Sequence, residues 1–269
     1  MKPRPPLPPG PYLVVGLARS GAGAALMLME HGEVIGVDSG HPPEADAIPG
    51  PIELHLDSDG LDLLDRARTV VKSPGVPREA PVIAAALERG IDVLGELELA
   101  WRLMSCEFVA ITGTNGKTTT AELLGAIHRE AGLDVAVAGN VGTAVSSVVG
   151  SLHASCVLVC EVSSFQLEDA TAFAPEAAVL LNLEEDHLDR HGTFEAYREA
   201  KLRVFANQGP GDSAVVPEGF ELDTTAERIT FGGADADLAH RDGALWWRGE
   251  HLIDASEIRL RGAHNLENA

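Results

Sequence analysis

Positive charge is what the sequence most lacks. Its 269 residues hold 20 Lys and Arg against 41 Asp and Glu, a formal net charge of -21 at pH 7. That balance excludes a broad cationic footprint for nucleic acid or an anionic membrane, so anionic ligands have to be met by local donors. Cysteine is scarce too. Cys106, Cys156 and Cys160 cannot make a fully paired disulfide framework, and two of them sit inside the apolar run CVLVC, which predicts buried, reduced thiols. No apolar stretch reaches the roughly 18 residues that a membrane helix requires. The opening MKPRPPLPPG has no apolar centre for a secretory signal and reads as a frayed, extended tail. These absences predict a soluble, cytoplasmic protein with neither nucleic acid nor membrane as partner.

What is present is the composition of an ordinary globular protein, 45% hydrophobic and 23% charged, long enough for two domains that each bury a core. Strand-like and helix-like runs alternate from YLVV (12–15) onwards, which indicates α/β architecture with parallel, doubly wound sheets. YLVV, EVIGV, TVVK and IDVLG read as strands of a Rossmann-like domain over residues 1–95, with an irregular or helical stretch between the second and third. ELELAWRLM (96–104) reads as a helix that opens a second, mononucleotide-binding α/β domain of the phosphate-loop type over residues 96–269. There EFVAITG, DVAVAG, ASCVLVCEVSS and AAVLLNL read as strands, and TAVSSVVGSL as one of the helices. From about Asp212 short segments such as SAVVP, RITFGG and ALWWRG predict extra antiparallel strands.

Five stretches carry chemistry. Gly16-Leu17-Ala18-Arg19-Ser20-Gly21, with Asp38 about 20 residues on, resembles a dinucleotide fingerprint whose middle glycine is replaced by Ala18. The substitution weakens a nicotinamide-dependent oxidoreductase as a reading but leaves anion binding at the helix start open. Thr112-Gly113-Thr114-Asn115-Gly116-Lys117-Thr118-Thr119 follows a strand and opens a helix, the context of a phosphate loop, although Ile111 stands where the general pattern places its first glycine. Backbone amides, the Lys117 charge and the Thr118 hydroxyl suit phosphate and magnesium. Glu161 ends a strongly apolar strand, where a carboxylate suits a hard cation. Glu184, Glu185, Asp186, His187, Asp189 and His191 crowd another strand end, and the Gly192 that follows disfavours zinc ligation by the two histidines. Lys201 by itself reads as a helix-surface lysine, and Asn140 as a loop residue.

In order and together, GTNGKTTT, GNVG, EVSSFQLE, NLEEDHLDRHG, AKLRVF and GAHNLENA resemble the Mur ligases, ATP-dependent amide-forming enzymes of peptidoglycan precursor synthesis. SSFQLE with GELEL is similar to the D-glutamate-adding branch, and the tripeptide-forming branch usually carries His where this chain has Phe165. The short front of the phosphate loop is a feature of the family. The resemblance implies ATP, UDP-N-acetylmuramoyl-L-alanine and D-glutamate as ligands, with two magnesium ions as cofactors. It assigns Gly113, Thr114, Asn115, Gly116, Lys117, Thr118 and Thr119 to the ATP phosphates and Asn265 and Asn268 to the adenine end. Thr118 and Glu161 would hold one magnesium ion, and His187 with a carbamylated Lys201 the other. Arg19, Ser20, Asp38, Ser73, Pro74 and Gly75 would hold the uridine diphosphate, and Asn140 and Ser163 the muramoyl group. Lys117, Glu161, His187 and Lys201 form the implied catalytic set. The family also has a third, carboxyl-terminal domain. Its absence here predicts a truncated chain without full activity, and a non-catalytic binding module is the remaining alternative.

Overall fold

The computed structural model describes residues 2–258, which form two compact units. The first comprises residues 2–105, 138–154 and 165–173, and the second residues 106–137, 155–164 and 174–258. By this division the helix over Glu96–Leu103, which sequence order joins to the second domain, clusters with the first.

The first unit contains β1 (Tyr12–Val15), α1 (Arg19–Leu28), β2 (Val34–Val37), β3 (Glu53–His55), β4 (Thr69–Lys72), α2 (Pro81–Glu88), β5 (Asp92–Gly95) and α3 (Glu96–Leu103). Its sheet is parallel throughout, in the order β3-β2-β1-β4-β5. Central strands are buried on both faces, as parallel strands between helices must be, and Leu13, Val15, Ile35, Val37 and Val70 pack with Val82, Ile83 and Ala86 of α2. Pro81 at the first position of α2, where its missing N–H costs nothing, fixes that helix start. β3 falls in the stretch read as irregular or helical. It is a three-residue edge strand with little burial, so it needs no apolar run and leaves no hydrophobic signal.

The proline-rich start is not frayed. Arg4 donates to the carbonyls of Trp101 and Met104, and its guanidinium lies 5.1 Å from the Trp101 ring centroid. Arg102 donates to Pro6 O at 2.9 Å, and the Tyr12 hydroxyl to Pro8 O at 2.9 Å. Prolines expose carbonyls without competing N–H groups, and side chains of the first unit take them up.

The second unit is organised on a sheet ordered β14-β13-β12-β11-β10-β9-β6-β8-β7. Its elements are β6 (Glu107–Thr112), α4 (Lys117–Glu130), β7 (Val135–Gly139), β8 (Val157–Glu161), α5 (Ser164–Leu167), β9 (Ala177–Leu180), α6 (Leu188–His191) and α7 (Phe194–Leu202), with Ala138–Gly139 of β7 and Phe165–Leu167 of α5 belonging to the first unit. β10 (Ser213–Pro217), β11 (Glu227–Phe231), β12 (Leu238–Arg241), β13 (Ala244–Trp247) and β14 (Glu250–Asp254) follow. The late strands are antiparallel only in part: β10 pairs in parallel with β9 and β11, and β12, β13 and β14 form the antiparallel end. Asp242-Gly243 and Arg248-Gly249, all at positive φ, make the two tight hairpins. TAVSSVVGSL does not form an α-helix; it gives one 3-10 turn at Val145–Val148, consistent with the low helix propensity of its β-branched and serine residues. Cys106, Cys156 and Cys160 are buried, none of them in a disulfide. No helix among the described residues is long and apolar enough to cross a membrane.

Candidate functional site

In the second unit the loop between β6 and α4 is shaped by Gly113 (φ +151) and Gly116 (φ +86), conformations that a side chain would strain. Thr120 N donates to Gly116 O and closes the first turn, so the amides of Lys117, Thr118 and Thr119 have no carbonyl of their own helix to bond. The positive end of the α4 dipole points the same way. Two of the loop amides assigned to phosphate are engaged elsewhere. Thr114 N and Asn115 N both donate to Asn182 Oδ1, at 3.1 and 2.8 Å, and Asn182 Nδ2 donates back to Asn115 O at 3.1 Å. Asn182, just beyond β9, opens the motif NLEEDHLDRHG but, like Tyr197, was given no role from sequence.

Three ionisable groups converge on this loop. Lys117 Nζ folds over it and donates to Gly113 O and Thr114 O, each at 2.9 Å. Burial pushes its pKa down, against the opposing pull of Glu161 and Asp186. Glu161, buried at the carboxyl end of β8, accepts from Thr118 Oγ1 at 2.7 Å. Lys201 is not a surface lysine: it is 2% exposed, and its Nζ donates to Gly113 O at 2.7 Å. Burial and the neighbouring Lys117 push its pKa down to about 7, with Asp186 and Glu161 acting the other way. Thr193 caps α7, accepting from Ala196 N at 3.1 Å, and the helix projects Lys201 and Tyr197 inward.

Tyr197 links these parts. Its hydroxyl lies 3.1 Å from Thr114 Oγ1, and its ring 4.7 Å from Lys201 Nζ and 6.3 Å from the His187 ring. His187 adopts the left-handed conformation at φ +50, with Nε2 3.4 Å from Asp186 Oδ2. Among the described residues, no three His, Cys, Asp or Glu side chains form a group able to hold a metal. A hydroxyl beside one carboxylate still fits magnesium, which keeps several waters and completes its shell with substrate phosphates. Ser163, half-buried, lies just beyond β8 in this unit. Asn265 and Asn268 lie outside the described residues.

The first unit holds a separate cavity of about 370 Å³ at the carboxyl ends of β1 and β4, the point where the strand order reverses. Arg19, Ser20, Asp38, Ser73, Pro74, Gly75 and Asn140, all singled out from sequence, line it. Asp38 accepts from Leu17 N at 2.7 Å and Gly40 N at 2.9 Å, and Ser73 Oγ donates to Gly16 O at 2.8 Å. Arg19 reaches Gly142 O at 2.7 Å. Gln166, Val76, Gly139 and Ala144 also line it, with no role assigned to them from sequence. Glu96 Oε1 accepts from Ser146 N at 2.7 Å, and burial pushes its carboxyl pKa up.

Comparison with known proteins places the chain in a family. The profile of the Mur ligase middle domain matches residues 111–269, and that of the Mur ligase MurD-like N-terminal domain residues 11–95. The UDP-N-acetylmuramoylalanine--D-glutamate ligase of Pelotomaculum thermopropionicum is 40% identical over 283 residues, covering 96% of this chain and 61% of the relative. The ligase of the same name from Geobacillus sp. (strain WCH70) is 40% identical over 273 residues, covering 95% and 60%. The chain thus spans about 60% of the length of such relatives. Among solved structures, the UDP-N-acetylmuramate:L-alanyl-gamma-D-glutamyl-meso-diaminopimelate ligase from Neisseria meningitides superposes with a TM-score of 0.62. It is 20% identical, with 96% of this chain and 90% of that chain covered, and speaks for the fold alone. With the middle-domain profile covering more than half of its residues, the chain belongs to the Mur ligase family.

Proposed function

We propose that this chain carries the precursor-binding and ATP-binding parts of a ligase that adds D-glutamate to UDP-N-acetylmuramoyl-L-alanine. The observation that carries the reading is the convergence of Lys117, Thr118, Glu161 and Lys201 on one glycine loop at a helix start. The 40% identity to ligases of that name supports the substrate pair.

In this reading the cavity beside Gly16 and Ser73 takes the uridine diphosphate, the α1 start and Arg19 facing its phosphates. Lys117 and the amides of residues 117–119 hold the β and γ phosphates of ATP. Thr118 and Glu161 hold one magnesium ion, which when bound offsets charge on the phosphates. The alanyl carboxylate oxygen attacks the γ-phosphorus and ADP leaves, giving an acyl phosphate. The amine of D-glutamate then attacks the acyl carbon, phosphate leaves and the nitrogen loses a proton. Positioning and electrostatics suffice for such a transfer, with no covalent enzyme intermediate.

Lys201 fits the family's carbamylation chemically. A lysine titrating near pH 7 is largely neutral in slightly alkaline solution, and the neutral amine is the form that adds carbon dioxide, losing one proton as the carbamate forms. The product replaces a group that only donates with two oxygens suited to magnesium, beside His187.

Calorimetric titration tests the reading. Saturable binding of UDP-N-acetylmuramoyl-L-alanine, and of ATP with magnesium, is expected, with no binding of NADH. Failure of both nucleotides to bind, or saturable NADH binding, would overturn it. Phosphate release dependent on D-glutamate measures whether the catalytic set is complete in this chain.

A further inference from the structure

Two walls of the first unit's cavity are tied together by a buried ion pair that the function described so far does not use. Lys72 ends β4, immediately before the Ser73-Pro74-Gly75-Val76 wall. Asp169 follows three residues after Gln166, which forms another wall. Lys72 Nζ lies 2.8 Å from Asp169 Oδ2, with the two side chains 0% and 3% exposed, and the same ammonium donates to Val76 O at 2.8 Å. One buried charge therefore grips both the turn and the Gln166 segment.

The segment 165–173 is held from the same side by further groups of the first unit. Glu98 accepts from the amides of Thr171, Ala172 and Phe173 at 2.8 to 3.2 Å. The Trp101 and Phe173 rings meet edge to face at 5.9 Å. These contacts fix the far end of the segment. Arg78, 40% exposed and just past the turn, reaches the segment loosely, with Nε 3.9 Å from Asp169 Oδ1 and Nη1 donating to Glu168 O at 3.5 Å, whereas Lys72 joins segment and turn as a buried charge at 2.8 Å. Buried ion pairs contribute little net stability against an apolar pair of similar volume. Geometry is the stronger reason for this one.

We propose that the Lys72–Asp169 pair is a positioning device that sets the spacing of the Ser73–Val76 turn and the Gln166 segment for a uridine diphosphate ligand. It rests on the reading that this cavity binds the UDP-precursor. Neither residue lines the cavity, so both act through the residues they hold.

The test is the double variant Lys72→Met/Asp169→Leu, in which an apolar pair replaces the buried charges, with Lys72→Met and Asp169→Asn alongside. Calorimetry with UDP-N-acetylmuramoyl-L-alanine is expected to show binding weakened at least about tenfold, the scale of loss that small misplacements of a binding group produce. The melting temperature stays close to the parent's, and binding of ATP with magnesium in the second unit is unchanged. The amide resonances of Val76 and Gln166 shift in nuclear magnetic resonance spectra, and Val76 exchanges faster, while those of β1 and β2 do not change. A double variant that melts like the parent, binds the precursor within about twofold and keeps the Val76 resonance overturns the proposal. If the parent itself fails to bind the precursor, the functional reading fails separately. The pair is then judged on Val76 exchange: faster exchange in the double variant supports a wall-fixing role, and unchanged exchange ends it. Should the double variant not fold, the same two readouts on Asp169→Asn, which keeps the shape and removes the charge, decide the matter.

Discussion

Thr118 Oγ1 donates to Glu161 Oε2 across 2.7 Å, joining the first turn of α4 to the carboxyl end of β8. One oxygen from each of two elements is thereby held within reach of a single cation, at the place where the α4 amides face outward. Parallel strands put such residues together because their carboxyl ends all open on the same edge of the sheet.

Thr118→Val keeps the shape of the side chain and removes the hydroxyl. Binding of ATP with magnesium is expected to weaken about tenfold, equivalent to about 1.4 kcal/mol, while precursor binding in the first unit is unchanged. Calorimetry with each ligand separates the two effects. Undiminished ATP affinity would falsify the metal-donor role of Thr118.

Gly21→Ala is expected to unfold or severely destabilise the first unit. A Cβ there would stand 1.7 Å from Gly16 O and 2.6 Å from Ser73 Oγ, and the nearer of these is backbone that cannot swing away. The cost is on the order of 3 kcal/mol, the upper range for overpacking. Gly50→Ala, with nothing within 4 Å, is the control and is expected to shift stability by less than about 0.5 kcal/mol. Thermal melts of both variants check the contrast. Equal melting temperatures would show that the close approach of α1 to β1 is not obligatory.

Glu98→Leu is expected to cost about 3–5 kcal/mol, the scale of breaking a buried charge network by removing one member. The fully buried carboxylate accepts three consecutive amides, from Thr171 to Phe173, and is 2.7 Å from Arg102 Nε. Leucine removes the acceptor that these amides and the Arg102 guanidinium share. Glu98→Gln, retaining one acceptor oxygen, is expected to lose less. Denaturant melts that rank the two variants in the opposite order would contradict this account.

Where burial is continuous the sequence announces the structure. YLVV, VIGV and the VV of TVVK are apolar because both faces of their parallel sheet are covered, and the glycine turns after β1 and β6 need conformations that few other residues adopt. The edge strand β3 carried no such signal, since Glu53–His55 borders solvent. Buried charges leave no signal for the opposite reason, and Lys201 read as a surface residue. Lys72, Glu96, Glu98, Asp169 and Lys201 are all buried, and only partners distant in sequence make that tolerable. Asn182 was equally hidden: an asparagine after a strand is ordinary until Thr114 and Asn115 are seen donating to it.

The pH dependence of stability follows from Lys201. Its pKa is pushed down from 10.5 to about 7 by burial first and by the Lys117 charge second, so between those values the unfolded chain binds the proton and the folded chain does not. Stability then rises with pH across that window. Below about pH 7 both states are protonated and the full penalty for a buried ammonium is present; above about pH 10.5 both are neutral and it has vanished. Lys201→Met removes the titrating group and, with it, the bond to Gly113 O. Relative to the parent, the variant is therefore expected to gain most at pH 6 and progressively less towards pH 10, with a change in the difference on the order of a few kcal/mol. Urea unfolding at pH 6, 8 and 10, in buffers purged of carbon dioxide so that the amine stays unmodified, measures that difference. A constant difference across the three conditions would mean that Lys201 holds its proton in the folded chain as firmly as in the unfolded one. The neutral amine required for carbamylation would then not be supplied by burial.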